Sequence, residues 1–529
     1  MIEIEDIKRS EEEVINKKQC LNEINNNKLS LRKFKNNVQL KNKRNYRLFY
    51  IKENNNINKD YQFHIINFDA SFNTINNYLN SNNSDLISYC LREISIYFQI
   101  NCPTIKEQKK IIETKFLNTL LNFGINFIEQ KNSADLSNIL RILINIQFIE
   151  EGNTDYLKDI CSADYFNFYN NCLNYIDESD NDEYQTLIYR QITWILNIMV
   201  FNYNEDNYYL NYFILRNPIF FQILDYYQNK NKIDVDDLKI LLELIKFIVD
   251  FQNSEEDICK NDKKIIEKCL NLLIKELYGS NTEVILALIL ESISHISGLS
   301  GDYDFNKKLI DDGVSIKILK MKFNNFKLTK NYLKIIKFSM RILANNLTET
   351  DENCKLLYDQ NIVDYFNNIL EKFDDDKAIV KPILYGIDNI AIGSQSEILK
   401  LSNIWKEKNI QKYLNYDDEI KILIIRIIND LLEKADMEYL KFLFDTKIFE
   451  YLIYVFASFN IGRHCCFKIL RLIDKYLSLF KIELKETKEY LIIYNKFRDL
   501  FQSSEKIILL TNEDYDIRVI EKRLLSNYE

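Results

Sequence analysis

Apolar residues along this chain gather into helix-length segments, and the breaks between them share one form. An apolar helix end meets a short polar turn that often holds Asn or Gly, and a new apolar helix follows. The form stands at Leu215-Arg216-Asn217-Pro218-Ile219-Phe220, at Ile310-Asp311-Asp312-Gly313-Val314 and at Tyr358-Asp359-Gln360-Asn361-Ile362-Val363. It returns at Lys408-Asn409-Ile410 and at Phe444-Asp445-Thr446-Lys447-Ile448-Phe449, with weaker versions at Glu113-Thr114-Lys115-Phe116 and Ala163-Asp164-Tyr165-Phe166. From Asn217 the steps to Gly313, Asn361 and Asn409 are 96, 48 and 48 residues, and the last step, to Lys447, shortens to 38. The double step leaves room for one degenerate unit around Asn261.

Between these turns a longer helix starts acidic and then runs apolar, at Asp135, Glu183, Asp236, Glu283, Asp376 and Asp417. Carboxylates in a first turn complement the helix dipole and cap free amides; they can equally line the rim of a groove and attract cations. Pro218 and Pro382 are expected at or near helix starts, where proline is tolerated.

A period near 48 suits armadillo or HEAT units lengthened by loop insertions, and is too long for tetratricopeptide or ankyrin repeats. Such a unit cannot bury its apolar face alone, so the units must stack into one continuous core. Composition agrees. The 529 residues exceed what one compact core accommodates, 47% of them are apolar, and 9 Gly with 3 Pro are too few for a sheet-based fold. The expected fold is all-α, a right-handed superhelical solenoid of eight to ten armadillo-like repeats over residues 61–500. A basic arm precedes it at 1–60 and a tail follows at 501–529.

Charge and chemistry narrow the function. Residues 1–60 hold 14 Lys and Arg against 9 Asp and Glu, and the remainder holds 55 against 69. An acidic body repels phosphate, so nucleic acid is not expected as its ligand, and basic protein segments are. Ten cysteines lack metal-ligand spacing with His64, His295 and His464, and unpatterned thiols with no leader segment suggest a reducing compartment. No run reaches the length of a membrane span. No nucleotide-binding, zinc-protease or hydrolase motif stands in a suitable context, so no catalytic residue, metal or cofactor is expected and the chain is not read as an enzyme.

Near the ends of the long helices an Asn recurs before Ile or Leu, at Asn145, Asn197, Asn345, Asn389 and Asn429. This resembles importin-alpha, the armadillo adaptor of nuclear import, in which Trp and Asn four residues apart repeat along the concave face. An aromatic ring walls a Lys or Arg stem, and an Asn amide clamps a peptide backbone without reading its sequence. Tyr385 and Asn389 keep the spacing; Arg341 and Asn345 keep the Asn with Arg in place of Trp, as do Arg141 and Asn145; Trp194 and Asn197 lie three apart, so one of them falls off the ladder. Middle helices carry Glu243 with Phe247 and Glu291 with His295 at these positions. The arm resembles an importin-beta-binding segment at Arg32, Lys33, Phe34 and Lys35, followed by Lys41, Lys43, Arg44 and Arg47.

What the resemblance implies is a protein-binding adaptor of cytoplasm and nucleus. It would hold basic cargo segments at Asn145, Trp194, Asn197, Arg341, Asn345, Tyr385 and Asn389, most strongly from Arg341 to Asn389. An importin-beta-like receptor would dock on the arm. The alternative is a structural scaffold of a large or cytoskeletal assembly with a vestigial groove.

Overall fold

The computed structural model describes residues 84–434 with intervals left out at 102, 148–156, 179–181, 203–216, 253–259, 280, 300–304, 324–328, 348–350, 394–411 and 414–415, together with Phe72 and a few positions between 470 and 499. The basic arm, the C-terminal tail and the turns at Asn409 and Lys447 lie outside the described residues. The chain forms two compact units, 1–248 and 249–529.

In the first unit the helices are α1 (Ser84–Ile100), α2 (Ile105–Glu113), α3 (Phe116–Glu129), α4 (Ser133–Ile146), α5 (Leu157–Ile160), α6 (Ala163–Asp177), α7 (Asp182–Asn202) and α8 (Pro218–Asn229), followed by α9 (Val235–Gln252), which carries the division. The long helices α1, α4 and α7 pack side by side as one row, and α3, α6 and α8 form a second row behind it, α3 lying on α4 and α6 on α7. In the second unit, α10 (Lys260–Leu277), α11 (Glu283–Ile296), α12 (Phe305–Asp311), α13 (Val314–Leu319), α14 (Lys330–Asn346), α15 (Asp351–Asp359), α16 (Ile362–Phe373), α17 (Lys377–Gly393) and α18 (Asp418–Lys434) repeat the plan. Here α11, α14, α17 and α18 make the long row. Behind them α10 backs α11, α12 and α13 back α14, and α15 with α16 backs α17. No strand occurs among the described residues, and the fold is an all-α repeat solenoid.

The long helices begin at residues 84, 133, 182 and 235, steps of 49, 49 and 53, and at 283, 330, 377 and 418, steps of 47, 47 and 41. Each acidic start read from the sequence lies within two residues of one of these. The acidic-start pattern passes over α14, which opens on Lys330 and contains no Asp or Glu.

Row packing explains why these helices are apolar on so much of their circumference. In α4, Leu136, Ile139, Leu140, Ile142, Leu143, Ile144 and Ile146 are all fully buried, because α1 and α7 flank the helix while α3 closes its back. Each such side chain contributes about 1.5–3 kcal/mol by leaving water. Only one stripe per long helix is left for solvent.

The turn phrase has a backbone cause. The residue before the new helix sits in the left-handed region at Lys115 (φ 52°), Gly313 (φ 73°) and Asn361 (φ 59°). Gly and Asn tolerate that conformation best, which is why they mark the turns. Asn217 instead caps α8 from extended backbone, accepting from the Ile219 amide at 3.2 Å, with Pro218 at the first helical position. Asp376 and Asp417 accept amides of Ala378 (2.9 Å) and Ile420 (3.2 Å), so these acidic starts serve as caps. Pro382 departs from the reading: it lies inside α17, six residues in, where its missing amide leaves one helical bond unmade. Five cysteines among the described residues form no disulfide, and Cys90, Cys172, Cys269 and Cys354 are buried.

One close approach between the two rows is where a glycine faces a ring. A Cβ on Gly386 would stand 2.7 Å from the edge of fully buried Phe366. Gly386→Ala should therefore destabilise the protein by about 1–3 kcal/mol. Adding Phe366→Leu should recover part of that loss, as read from urea unfolding midpoints; a neutral Gly386→Ala would mean the rows have slack there.

Candidate functional site

The unburied stripes of the long helices are where the expected ladder residues must be judged. In the first unit the expectation of open clamps and walls is not met. Asn145 is 3% exposed, Trp194 4% and Asn197 4%, so all three lie within the packed helix rows rather than on an open face. A helix buried on three sides leaves no room for two ladder residues three positions apart, and Asn197 turns its Nδ2 toward the Ile240 carbonyl at 3.5 Å. The buried Asn145 Nδ2, Asn197 Oδ1 and Arg141 Nε find no hydrogen-bond partner among the described residues. Glu243, on α9, is a further polar group without full satisfaction. Burial pushes its carboxyl up to about 8, with Lys246 pulling the other way, and its Oε2 is also without a partner.

In the second unit the expected residues do come together on one face. Arg341 and Asn345 on α14 are exposed and half-buried respectively, as are Tyr385 and Asn389 on α17. Asn345 donates Nδ2 to the Ser297 hydroxyl at 2.8 Å, and Asn389 donates Nδ2 to the Ala344 carbonyl at 3.0 Å. Each Asn thus ties its helix to the preceding long helix while remaining at the surface. The neighbouring Asn346 points inward to Ser315 at 2.7 Å, which fixes Asn345 as the outward member of the pair. Tyr385, 37% exposed, donates its hydroxyl to Glu419 at 3.4 Å, and Lys381 stands 6.0 Å from its ring centre.

The same stripes hold lysines that the ladder pattern did not single out, in line with its Arg341. Lys330, Lys334, Lys337 and Arg341 follow one another at spacings of four, three and four, which is one face of α14. Lys377, Lys381, Tyr385 and Asn389 form the matching stripe of α17. Lys334 meets Glu291 at 3.4 Å, Lys377 meets Asp417 at 3.7 Å, and Lys381 pairs with Glu419. Lys330, Lys337 and Arg341 have no carboxylate partner among the described residues. An acid-free helix with cations at helical spacing was the signal available in the sequence. Beside this face Arg426 pairs with the fully buried Asp388, and half-exposed His295 sits edge-on to Phe338.

Chemistry elsewhere is thin. A polar cleft of about 690 Å³ in the first unit is lined by Asp177, Thr186, Gln222 and Asp225 around a stacked Tyr189–Tyr226 pair, ring centres 3.8 Å apart. Several of its groups pair with one another, Tyr189 donating to Asp177 at 2.8 Å and Lys230 to Thr186 at 2.9 Å, while Gln222 Oε1 has no partner among the described residues. No metal-binding cluster of His, Cys, Asp or Glu occurs among the described residues, nor any helix long and apolar enough to cross a membrane.

No family model matches this sequence, and no curated protein matches it. Among solved structures, an engineered protein aligns over 87% of this chain and 98% of its own at 17% identity, with a TM-score of 0.56, which shows a shared fold alone. Two designed armadillo repeat proteins, one of them in complex with the peptide (KR)4, each align over 48% of this chain and 98% of their own at 18% identity, with TM-scores of 0.39 and 0.38.

The Glu243 carboxyl gives a pH test. Below the ordinary carboxyl range it is protonated whether the chain is folded or not. Between that range and about 8 the folded chain keeps a proton that the unfolded chain releases, so stability falls as pH rises through this window and levels off above it. Glu243→Gln should melt with wild type at pH 4 and above it at pH 9, by about 3 °C or more. Equal melting at both pH values would show the carboxyl to be solvated.

Proposed function

We propose that this chain is a non-catalytic, protein-binding solenoid that holds an extended peptide segment of a partner across the outward stripes of α14 and α17. The observation that carries this is the registered pair of stripes: Arg341 with Asn345 and Tyr385 with Asn389, each four residues apart, side by side on adjacent helices. The Asn389 side-chain oxygen is uncommitted among the described residues and suits a peptide N–H. Tyr385 supplies a surface against which a partner side chain can lie.

The layout's likeness to importin-alpha extends this to an import adaptor of cytoplasm and nucleus, with basic cargo in the ladder and an importin-beta-like receptor on the arm at Arg32 to Arg47. That narrower reading meets an obstacle in the cations of α14, which repel a basic segment where the ladder is best kept, and the broader adaptor reading is the one adopted. A second reading, a scaffold within a larger assembly, is favoured by the burial of Asn145, Trp194 and Asn197, which leaves the first unit without a ladder.

Selection from a random peptide library displayed on phage, followed by titration of the enriched sequences, tests the adaptor reading. Asn389→Ala should weaken the selected peptides by about 1–3 kcal/mol through the lost clamp, and Tyr385→Ala by about 0.5–1.5 kcal/mol. Tyr385→Ala should melt like wild type, and Asn389→Ala slightly below it, because its hydrogen bond to the Ala344 carbonyl is lost. Peptides that bind all three forms equally would move the site off this face and leave the scaffold reading.

A further inference from the structure

We infer that the segment held by the α14–α17 face is acidic, its carboxylates received by Arg341, Lys337 and Lys330. This rests on the peptide-binding reading and assigns its charge. Helix α14 carries four cations and no carboxylate over 17 residues, on a chain whose residues 61–529 are net acidic. Random placement would intersperse the signs; here all four fall on the one stripe that packing leaves open. At 1.5 Å per residue the run from Lys330 to Arg341 is about 16 Å long. The α17 stripe beside it adds Lys377 and Lys381.

The six cations meet three carboxylates: Glu291 from α11, Asp417 just ahead of α18, and Glu419 on α18. Glu283 and His295 on α11 and Lys421 and Arg426 on α18 are further titratable groups of these flanking helices: Glu283 accepts from the Thr329 hydroxyl at 2.9 Å at the start of α14, Lys421 is buried, and Arg426 is spent on Asp388. The unpaired excess is therefore concentrated on α14, at its centre in Arg341 and Lys337. Among the described residues Lys337 has only the neighbouring Phe338 ring, 5.1 Å from its ammonium. A guanidinium presents a planar fork that receives a carboxylate through two parallel hydrogen bonds.

A peptide fits better than a nucleic acid. The patch is bounded on both sides by Glu291, Asp417 and Glu419, so a long phosphate backbone leaving it would run onto carboxylates, whereas a short acidic segment ends within it. Amides at Asn345 and Asn389 close one end of both stripes, and they address a peptide backbone. Neighbouring helices lie about 8–10 Å apart, close to one three-residue turn of a polyproline-II chain, so acidic residues at every third position share one face and would meet both stripes.

The test uses the full chain and fluorescein-labelled peptides of about 12 residues, with Glu, Gln or Lys at every third position in an otherwise Gly-Ser sequence, plus a single-stranded oligonucleotide. Fluorescence anisotropy should show the Glu peptide binding at least about ten-fold tighter than the Gln peptide, with affinity falling as salt rises. Arg341→Glu with Lys337→Glu should erase that preference and bring the Lys peptide up, while Lys109→Glu, on α2, changes nothing. Matching circular dichroism melts would establish that the exposed substitutions leave folding intact. A Lys peptide that binds wild type best, and is weakened by Tyr385→Ala, would overturn the acidic assignment yet keep the peptide-binding face. An oligonucleotide that outcompetes the Glu peptide would replace the peptide with a nucleic acid. No binding by any probe would remove both the acidic assignment and the reading beneath it.

Discussion

Side-by-side burial of the long helices is the constraint from which the other features of this protein follow. A helix such as α11 buries Ile285, Ala287, Ile289, Leu290, Ile293 and Ile296, more apolar surface than one companion helix covers, so it needs row neighbours as well as a backing helix. The requirement is met only by repetition. Helix lengths, the spacing of their starts and the tight left-handed turns all serve to bring the next helix back beside the last.

The polar residues at the helix starts belong to the same constraint. Ser88 of α1 is hydrogen-bonded to Asp135 of α4, Arg190 of α7 reaches Asp237 of α9 at 3.0 Å, and Thr329 donates to Glu283 at 2.9 Å. These partners stand 46 or 47 residues apart, one repeat, and each fixes the sideways register of two long helices that apolar contact alone leaves free to slide. Asp135 and Asp237 are nearly buried in doing so, which charged groups tolerate only when paired. The acidic starts are therefore fasteners and caps before they are anything a ligand could feel.

The repeat was legible because a left-handed turn admits few residues and a buried row admits few polar ones, so Gly313, Asn361 and the apolar runs between them announce themselves. The ladder was legible only in part. Asn345 and Asn389 occupy the stripe that packing leaves open, whereas Asn145 and Asn197, with the same local signature, have been turned inward by their neighbours. The signature records helix position, and rotation about the helix axis is settled by three packing partners that no short motif contains. The cationic stripe of α14 lay in plain view at helical spacing, masked by net charge: a chain acidic on average conceals a single basic helix.

The buried thiols have a use of their own. Cys90 on α1, Cys172 on α6, Cys269 on α10 and Cys354 on α15 each sit in a different part of the array. Burial raises the first three above the ordinary thiol range, with Glu93 adding to the effect at Cys90, so reactive thiolate is scarce while the repeats stay closed. In an array held together by nearest neighbours, opening need not be all-or-none. These four sulfurs are thus internal clocks: the rate at which an alkylating reagent reaches each one times the breathing of its own repeat, and the order in which they are tagged traces where the solenoid begins to come apart.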